Sequence, residues 1–172
     1  MTLRPAIPED AAPLAALARR AMRAKWEHMY RPEDFAAWLS EAHSDEKAAK
    51  EIDDPGMRVA VIEDEAGELV AFCKLVLSGT FDPVHSDAKA PLELKQLYTA
   101  PDRLGMGLGA RLMDWALDQA RSHGADEIQL SVWSGNQDAQ RFYTRYGFLK
   151  IADIIFPVGE QLDEEFLFAL RL

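Results

Sequence analysis

Residues 94–120 read LKQLYTAPDRLGMGLGARLMDWALDQA. A strand-like run ending at Thr99 meets three alternate glycines, Gly105, Gly107 and Gly109, and passes directly into a segment with Leu108, Leu112, Met113, Ala116, Leu117 and Ala120 on one helical face. The first amides of a helix have no intrahelical partner, and the helix dipole places partial positive charge there. Glycines in the preceding turn let an anion approach the backbone without meeting a Cβ. The stretch therefore predicts strand, anion-binding turn and helix, the core of an α/β chain that holds a phosphorylated ligand.

Two cofactor classes use such a turn, and Gly105, Gly107 and Ala110 also satisfy the dinucleotide fingerprint G-x-G-x-x-G/A. That fingerprint requires an acidic residue about 20 residues on, at the end of the next strand, to hold a ribose. The next strand, Glu127 to Trp133, carries acids only at its start (Asp126, Glu127) and ends in Val132, Trp133 and Ser134. After that strand the chain continues with a short aromatic helix, GNQDAQRFYTRYGF (135–148), and then two extended segments.

This order resembles the GNAT superfamily of acetyl-CoA-dependent N-acetyltransferases. Its pyrophosphate loop, Q/R-x-x-G-x-G/A, stands here as Leu104-Gly105-Met106-Gly107-Leu108-Gly109. The downstream pattern N-x-x-A-x-x-F-Y-x-x-x-G-F is met by Asn136, Ala139, Phe142, Tyr143, Gly147 and Phe148. One departure is Leu104, where the family has Gln or Arg; Arg103 sits one residue earlier. The loop's main-chain donors survive that change, while one side-chain contact is put in doubt. Looser matches (RPAIPEDAAPLAALARRAM, MYRPEDFAAWL, DDPG and IIFPVGEQLDEEFLFALRL) are similar to the bacterial branch that includes spermidine/spermine N-acetyltransferases.

The resemblance implies an α/β (α+β) GNAT fold, a mixed central β-sheet with a splayed parallel strand pair flanked by helices. It implies acetyl-CoA as cofactor, its pantetheine arm bonded by the main chain of Leu97, Tyr98 and Thr99, and its phosphates held by the loop from Arg103 through Leu104, Gly105, Met106, Gly107, Leu108 and Gly109 to Ala110. Asn136 matches a cofactor-contacting asparagine and equally suits a helix N-cap. Arg103, Arg111, Arg141 and Arg145 surround the two motifs, and a guanidinium can grip a phosphate bidentately. Arg103 and Arg141 are the ones expected to do so, against the alternative of ordinary surface arginines.

Composition frames this reading. The 172 residues are 48% hydrophobic, enough for one core, and a single N-acetyltransferase domain over 1–172 is expected. No apolar run approaches the roughly 20 residues that span a bilayer, no signal pattern opens the sequence, and a cytoplasmic location without membrane attachment is expected. A net charge of -10 and a pI near 4.8 argue against nucleic-acid binding. The charge suits a cationic substrate or simply a solvated acidic surface.

Coarsely, the chain reads α, then β, then α/β. Helices are predicted over Pro5–Lys25, from Pro32 with Phe35, Trp38 and Leu39 inward, and over Asp45–Ile52, before the stop Asp53-Asp54-Pro55-Gly56. Met57–Ile62 and Leu69–Leu77 predict an antiparallel hairpin, Thr80–Ala90 a loop, and Leu92–Thr99 the strand before the glycine turn. The strand, crossover helix ending near Gly124 and strand Glu127–Trp133 should form a right-handed parallel unit.

Acetyl transfer to an amine needs three things. A lysine-like amine, with a pKa of about 10.4, must lose a proton; the oxyanion needs fixed donors; the departing thiolate needs a proton. Tyr143 occupies the family position of the acid, the alternative being a core aromatic beside Phe142 and Tyr146. Glu93 is the candidate base, the alternative being a solvated strand-edge residue, and a main-chain N–H near Tyr98 or Thr99 is the oxyanion donor. Cys73, inside the apolar run LVAFCKLVL, is expected to be buried and inert, so transfer is direct. His28, His43, His85 and His123 lack metal-ligand spacing and read as surface or capping residues, with no metal expected. Trp26, Glu27 and Tyr30, with Asp34, Trp38, Asp153, Glu160 and Asp163, are candidates for the acceptor side. A primary amine of a small molecule is the expected acceptor, with a polyamine as the candidate that the resemblance suggests. Protein or peptide, amino-acid and aminoglycoside amines, and a silent coenzyme A sensor, stay open, as does a homodimer.

Overall fold

The computed structural model describes residues 1–79, 81–158 and 160–172; Thr80, the first residue of the predicted loop, lies outside them. The described residues form seven strands, β1 (Thr2–Pro5), β2 (Met57–Glu63), β3 (Leu69–Val76), β4 (Pro91–Thr99), β5 (Glu127–Trp133), β6 (Leu149–Val158) and β7 (Gln161–Arg171). Five helices accompany them, α1 (Ala11–Trp26), α2 (Pro32–Ala42), α3 (Asp45–Asp53), α4 (Leu108–His123) and α5 (Gln137–Arg145). The strands make one sheet in the order β1-β2-β3-β4-β5-β7-β6, antiparallel except for β4 beside β5. This is the mixed sheet flanked by helices that the resemblance implied.

The opening differs from the sequence reading. Thr2–Pro5 is an edge strand paired antiparallel with residues 60–63, and the helix expected from Pro5 begins at Ala11. Four residues are too few to show a period, and what holds them is remote: Arg4 bridges Asp10 at 2.6 Å and Glu63 at 2.8 Å. The acidic Pro8–Asp10 segment is a 3-10 turn leading into α1. Pro32 opens α2, and the Ser44 hydroxyl caps α3 by accepting from the Lys47 amide at 3.1 Å.

Each face of the sheet buries a different core. On one, Leu75, Leu92, Leu94, Ile128 and Leu130 pack on Leu112, Met113 and Ala116 of α4 and on Phe148. On the other, Val59, Val61 and Phe72 pack on Leu14, Leu17 and Ala18 of α1, and Met22, Phe35 and Leu39 gather Trp26, Tyr30, Trp38 and Tyr98. His43 ends α2 as its C-cap, one of the two roles expected of it, but it is buried rather than at the surface: it packs against Trp38, and burial pushes its imidazole down to about 4. Cys73 is fully buried, as expected.

The parallel pair is brief. Pro91, Leu92 and Glu93 register with Glu127, Ile128 and Gln129, and pairing then stops while both strands continue. On its other edge β4 carries a bulge: Gln96 opposes Lys74 and Leu94 opposes Leu75, leaving Lys95 extra. A bulge bends and over-twists its strand. Placed just past the last parallel pair, it steers β4 away from β5. The splay expected from the resemblance is present.

Candidate active site

The glycine turn comes first, because contiguous sequence builds it. Gly105 and Gly107 have left-handed backbone at φ +77° and +75°, and a Cβ at either position would meet no atom within 4 Å, so the turn's inner face is open. Any other residue would be strained there. Gly107 is the N-cap of α4, so the amides of Leu108, Gly109 and Ala110 start the helix without an intrahelical acceptor. Leu104 and Met106 are 70% and 53% exposed, on the rim of the turn. The Arg103 guanidinium lies 3.4 Å from Asp64 and 3.8 Å from Asp102, while its buried Nε has no partner among the described residues. Arg141 is exposed and paired to Asp138 one helical turn away, and Arg111 reaches the Met1 carbonyl at 3.4 Å.

On the α4/α5 face, Tyr143 packs against Phe142 and Phe148, with ring centroids 5.4 and 5.7 Å away. Burial pushes its phenol well above the ordinary tyrosine range, and the neighbouring Tyr98 and Cys73 add to the shift. The ring therefore keeps its proton at neutral pH. Phe142 and Tyr146 do share the neighbouring face, 5.2 Å apart, and the Tyr146 hydroxyl bonds to Asp114 at 3.2 Å. Asn136 caps α5, its Oδ1 accepting from the Ala139 amide at 3.2 Å. Beyond Glu93, the edge of β4 facing β5 has no strand partner, so the main chain at Leu97, Tyr98 and Thr99 borders the opening.

The other face of the splay is built from residues far apart in sequence. Trp26, at the end of α1, meets the last residue of β5, Trp133, edge to face at 5.3 Å. Tyr30 stacks on Phe35 and donates to the Asp163 carboxylate, which also accepts from Gln161 Nε2 at 2.8 Å. Burial and the Glu165 carboxylate push the Tyr98 phenol up to about 12, and a hydrogen bond from Trp26 offsets part of that rise. A cleft of about 340 Å³ opens beside them, lined by Trp26, His28, Met29, Trp133, Asn136 and Arg141 among others. Glu27 is exposed and outside that lining. Asp34 and Glu160 are engaged by Arg31, and Asp153 by Lys150.

Glu93 is half-buried at the closed end of the splay, and burial raises its carboxyl above the usual range despite the opposing influence of Lys95. Glu165 was not singled out from the sequence. It is the cross-strand partner of Trp133, half-buried, with a carboxyl raised by burial and by Asp163. The signal was available in the alternation Asp163, Glu165, Leu167, Ala169 along β7, but only the pairing with β5 shows where that stripe points.

Residues 23–148 match the acetyltransferase (GNAT) family. The chain belongs to that family. An uncharacterized N-acetyltransferase of Mycobacterium bovis is 28% identical over 163 residues, covering 95% of this chain and 98% of the relative. Among solved structures, the PaiA N-acetyltransferase of Thermoplasma acidophilum in complex with coenzyme A superposes with a TM-score of 0.78 at 21% identity, covering all of both chains. A chimera of the spermidine N-acetyltransferase SpeG of Vibrio cholerae and hSSAT gives 0.69 at 22% identity, covering 99% of this chain and 96% of the other. This GNAT chain is thus an acyltransferase that uses acetyl-CoA. The open, left-handed glycine turn, the unpaired helix amides and the partnerless Arg103 Nε are the groups that fit the phosphates of such a ligand.

Proposed function

We propose that this GNAT enzyme transfers the acetyl group directly to a primary amine of a small molecule, with a polyamine as the favoured acceptor, and that residues 1–172 act as one catalytic domain. The observation that carries the reading is the charge of the acceptor face: Asp163 is buried and Glu165 half-buried, and neither has a lysine or arginine partner among the described residues. Carboxylates held without a cation at an aromatic-walled opening suit an ammonium ligand, through charge and cation–π attraction. The likeness to a spermidine acetyltransferase structure supports the same acceptor class.

Bound acetyl-CoA supplies an acetyl group activated as a thioester. The glycine turn and the α4 amides hold its phosphates, with Arg103 and Arg141 as the side-chain candidates, and Leu97, Tyr98 and Thr99 offer main-chain groups to the pantetheine arm. A main-chain N–H near Tyr98 or Thr99 faces the oxygen that gains charge. Tyr143 keeps its proton on the phenol oxygen and delivers it to the leaving sulfur. Trp26, Tyr30 and the carboxylates orient the amine from the opposite face of the sheet, while Glu93, at the closed end of the opening, is the sequence's candidate for the base, drawing the proton through water.

Thiol release from acetyl-CoA with spermidine, spermine, putrescine, lysine peptides and aminoglycosides tests this reading. Turnover on polyamines is expected; binding of acetyl-CoA with no release on any amine would overturn it.

A further inference from the structure

The geometry points to Glu165 as the group that touches the acceptor ammonium and takes its proton before attack, an inference that rests on the amine reading above. Glu165 opposes Trp133 across the β5–β7 ladder, so its side chain shares the face and the level of the splay rim. Its Oε2 is buried and has no hydrogen-bond partner among the described residues. A buried acceptor atom left without a donor costs folding free energy, and more when it is charged. Such a cost at a position that opposes Trp133, on the rim of the splay, is accounted for when the missing donor is the substrate.

The surroundings of Glu165 define that donor. From β5 come the Ser131 hydroxyl, whose proximity offsets part of the rise in the carboxyl's pKa, and the Trp133 ring. From β4 comes the Tyr98 phenol, from the α1–α2 connection the Tyr30 phenol, and from β7 itself Asp163. Across β6 the partner is Ile154, while Lys150 lies over Phe166 and Asp153 pairs with Phe166, both one position out of phase with Glu165. Among the described residues, every titratable group facing Glu165 is an acid or a phenol. The complement is a cation that brings its own proton.

In the step, an N–H bond of the ammonium breaks and an O–H bond forms on Glu165; the proton then leaves to solvent and the free amine attacks. Tyr143 approaches from the α4/α5 face, so proton removal and proton delivery lie on opposite sides of the sheet with the opening between them. Glu93, by contrast, sits at the closed end, where the strands are still paired.

The test is Glu165→Gln, with Glu165→Asp and Glu93→Gln as companions, in spermidine-dependent thiol release across pH. Glu165→Gln should lower kcat/KM by about a hundredfold or more and erase the acid limb of the profile, with partial recovery in Glu165→Asp. Calorimetry should show unchanged acetyl-CoA affinity and weakened spermidine binding to the coenzyme A complex. The melting temperature at neutral pH should rise, because a carboxyl whose folded-state pKa is raised costs stability above its unfolded pKa; that gain should vanish in acid. Near-wild-type turnover with the acid limb intact in Glu165→Gln, or loss of that limb in Glu93→Gln alone, would overturn the assignment while leaving the amine reading standing. A wild-type chain that binds acetyl-CoA but acetylates no amine would overturn both.

Discussion

The two faces of the sheet meet at the same opening but are made in opposite ways. The α4/α5 face is built from contiguous sequence and largely from main chain: two left-handed glycines, the first amides of α4 and the unpaired edge of β4. The α1–α2 face is built from side chains brought together across the molecule, with Trp26 and Tyr30 meeting Trp133, Asp163 and Glu165. Main-chain recognition tolerates substitution everywhere except where the backbone conformation itself is demanded. Side-chain recognition can be retuned one residue at a time, which fits one half serving a constant ligand and the other a variable acceptor.

If the faces divide the work, variants should separate along the same line. The largest effect is expected from Tyr143→Phe, which removes the proposed proton donor: kcat should fall about 10²- to 10⁴-fold with acetyl-CoA affinity, measured by calorimetry, unchanged. Gly107→Val should do the reverse. It forces a β-branched residue into a left-handed conformation that costs roughly 1–2 kcal/mol, so acetyl-CoA affinity should fall, while amine affinity in the surviving complex stays the same. A loss of turnover without loss of affinity would break the main-chain account.

Tyr30→Phe probes the other half. It removes the hydrogen bond to Asp163, and bonds to charged groups are worth about 1.5–3 kcal/mol. The steady-state KM for the amine should shift by about tenfold or more, with acetyl-CoA affinity untouched. Equal shifts for both ligands would mean that the faces are coupled rather than divided.

The smallest effect concerns His43, behind the aromatic cluster of the α1–α2 face. Its folded-state pKa, pushed down to about 4, lies below its unfolded value near 6.5, so the folded state binds the proton more weakly. Its contribution to stability is complete above the unfolded value and is lost as pH falls from there toward the folded one. Melting curves of His43→Gln should therefore be less acid-sensitive than wild type over that window, and identical slopes would contradict the burial argument.

How much of this was legible in sequence depends on the same division. The glycine turn, α4, β5 and α5 were readable because their periodicity and motifs are local, and Tyr143 came with them. The splay was implied only by resemblance: its physical cause is a bulge at Lys95 that no local pattern reveals. The first strand was missed because Arg4 finds Asp10 and Glu63 only in the folded chain. The cap at His43 is local, but its burial is not legible in sequence because it depends on how α2 packs on the rest of the chain. Glu165 escaped notice because β7 alone does not say which of its faces meets the opening.

The central claim is that the reaction axis crosses the sheet through the splay. A crystal structure with coenzyme A and spermidine tests it most directly. The sulfur is expected within hydrogen-bonding distance of the Tyr143 hydroxyl, with an amine nitrogen against Glu165 on the opposite face. Coenzyme A outside the β4–β5 opening, or spermidine bound on the same face as Tyr143, would contradict it.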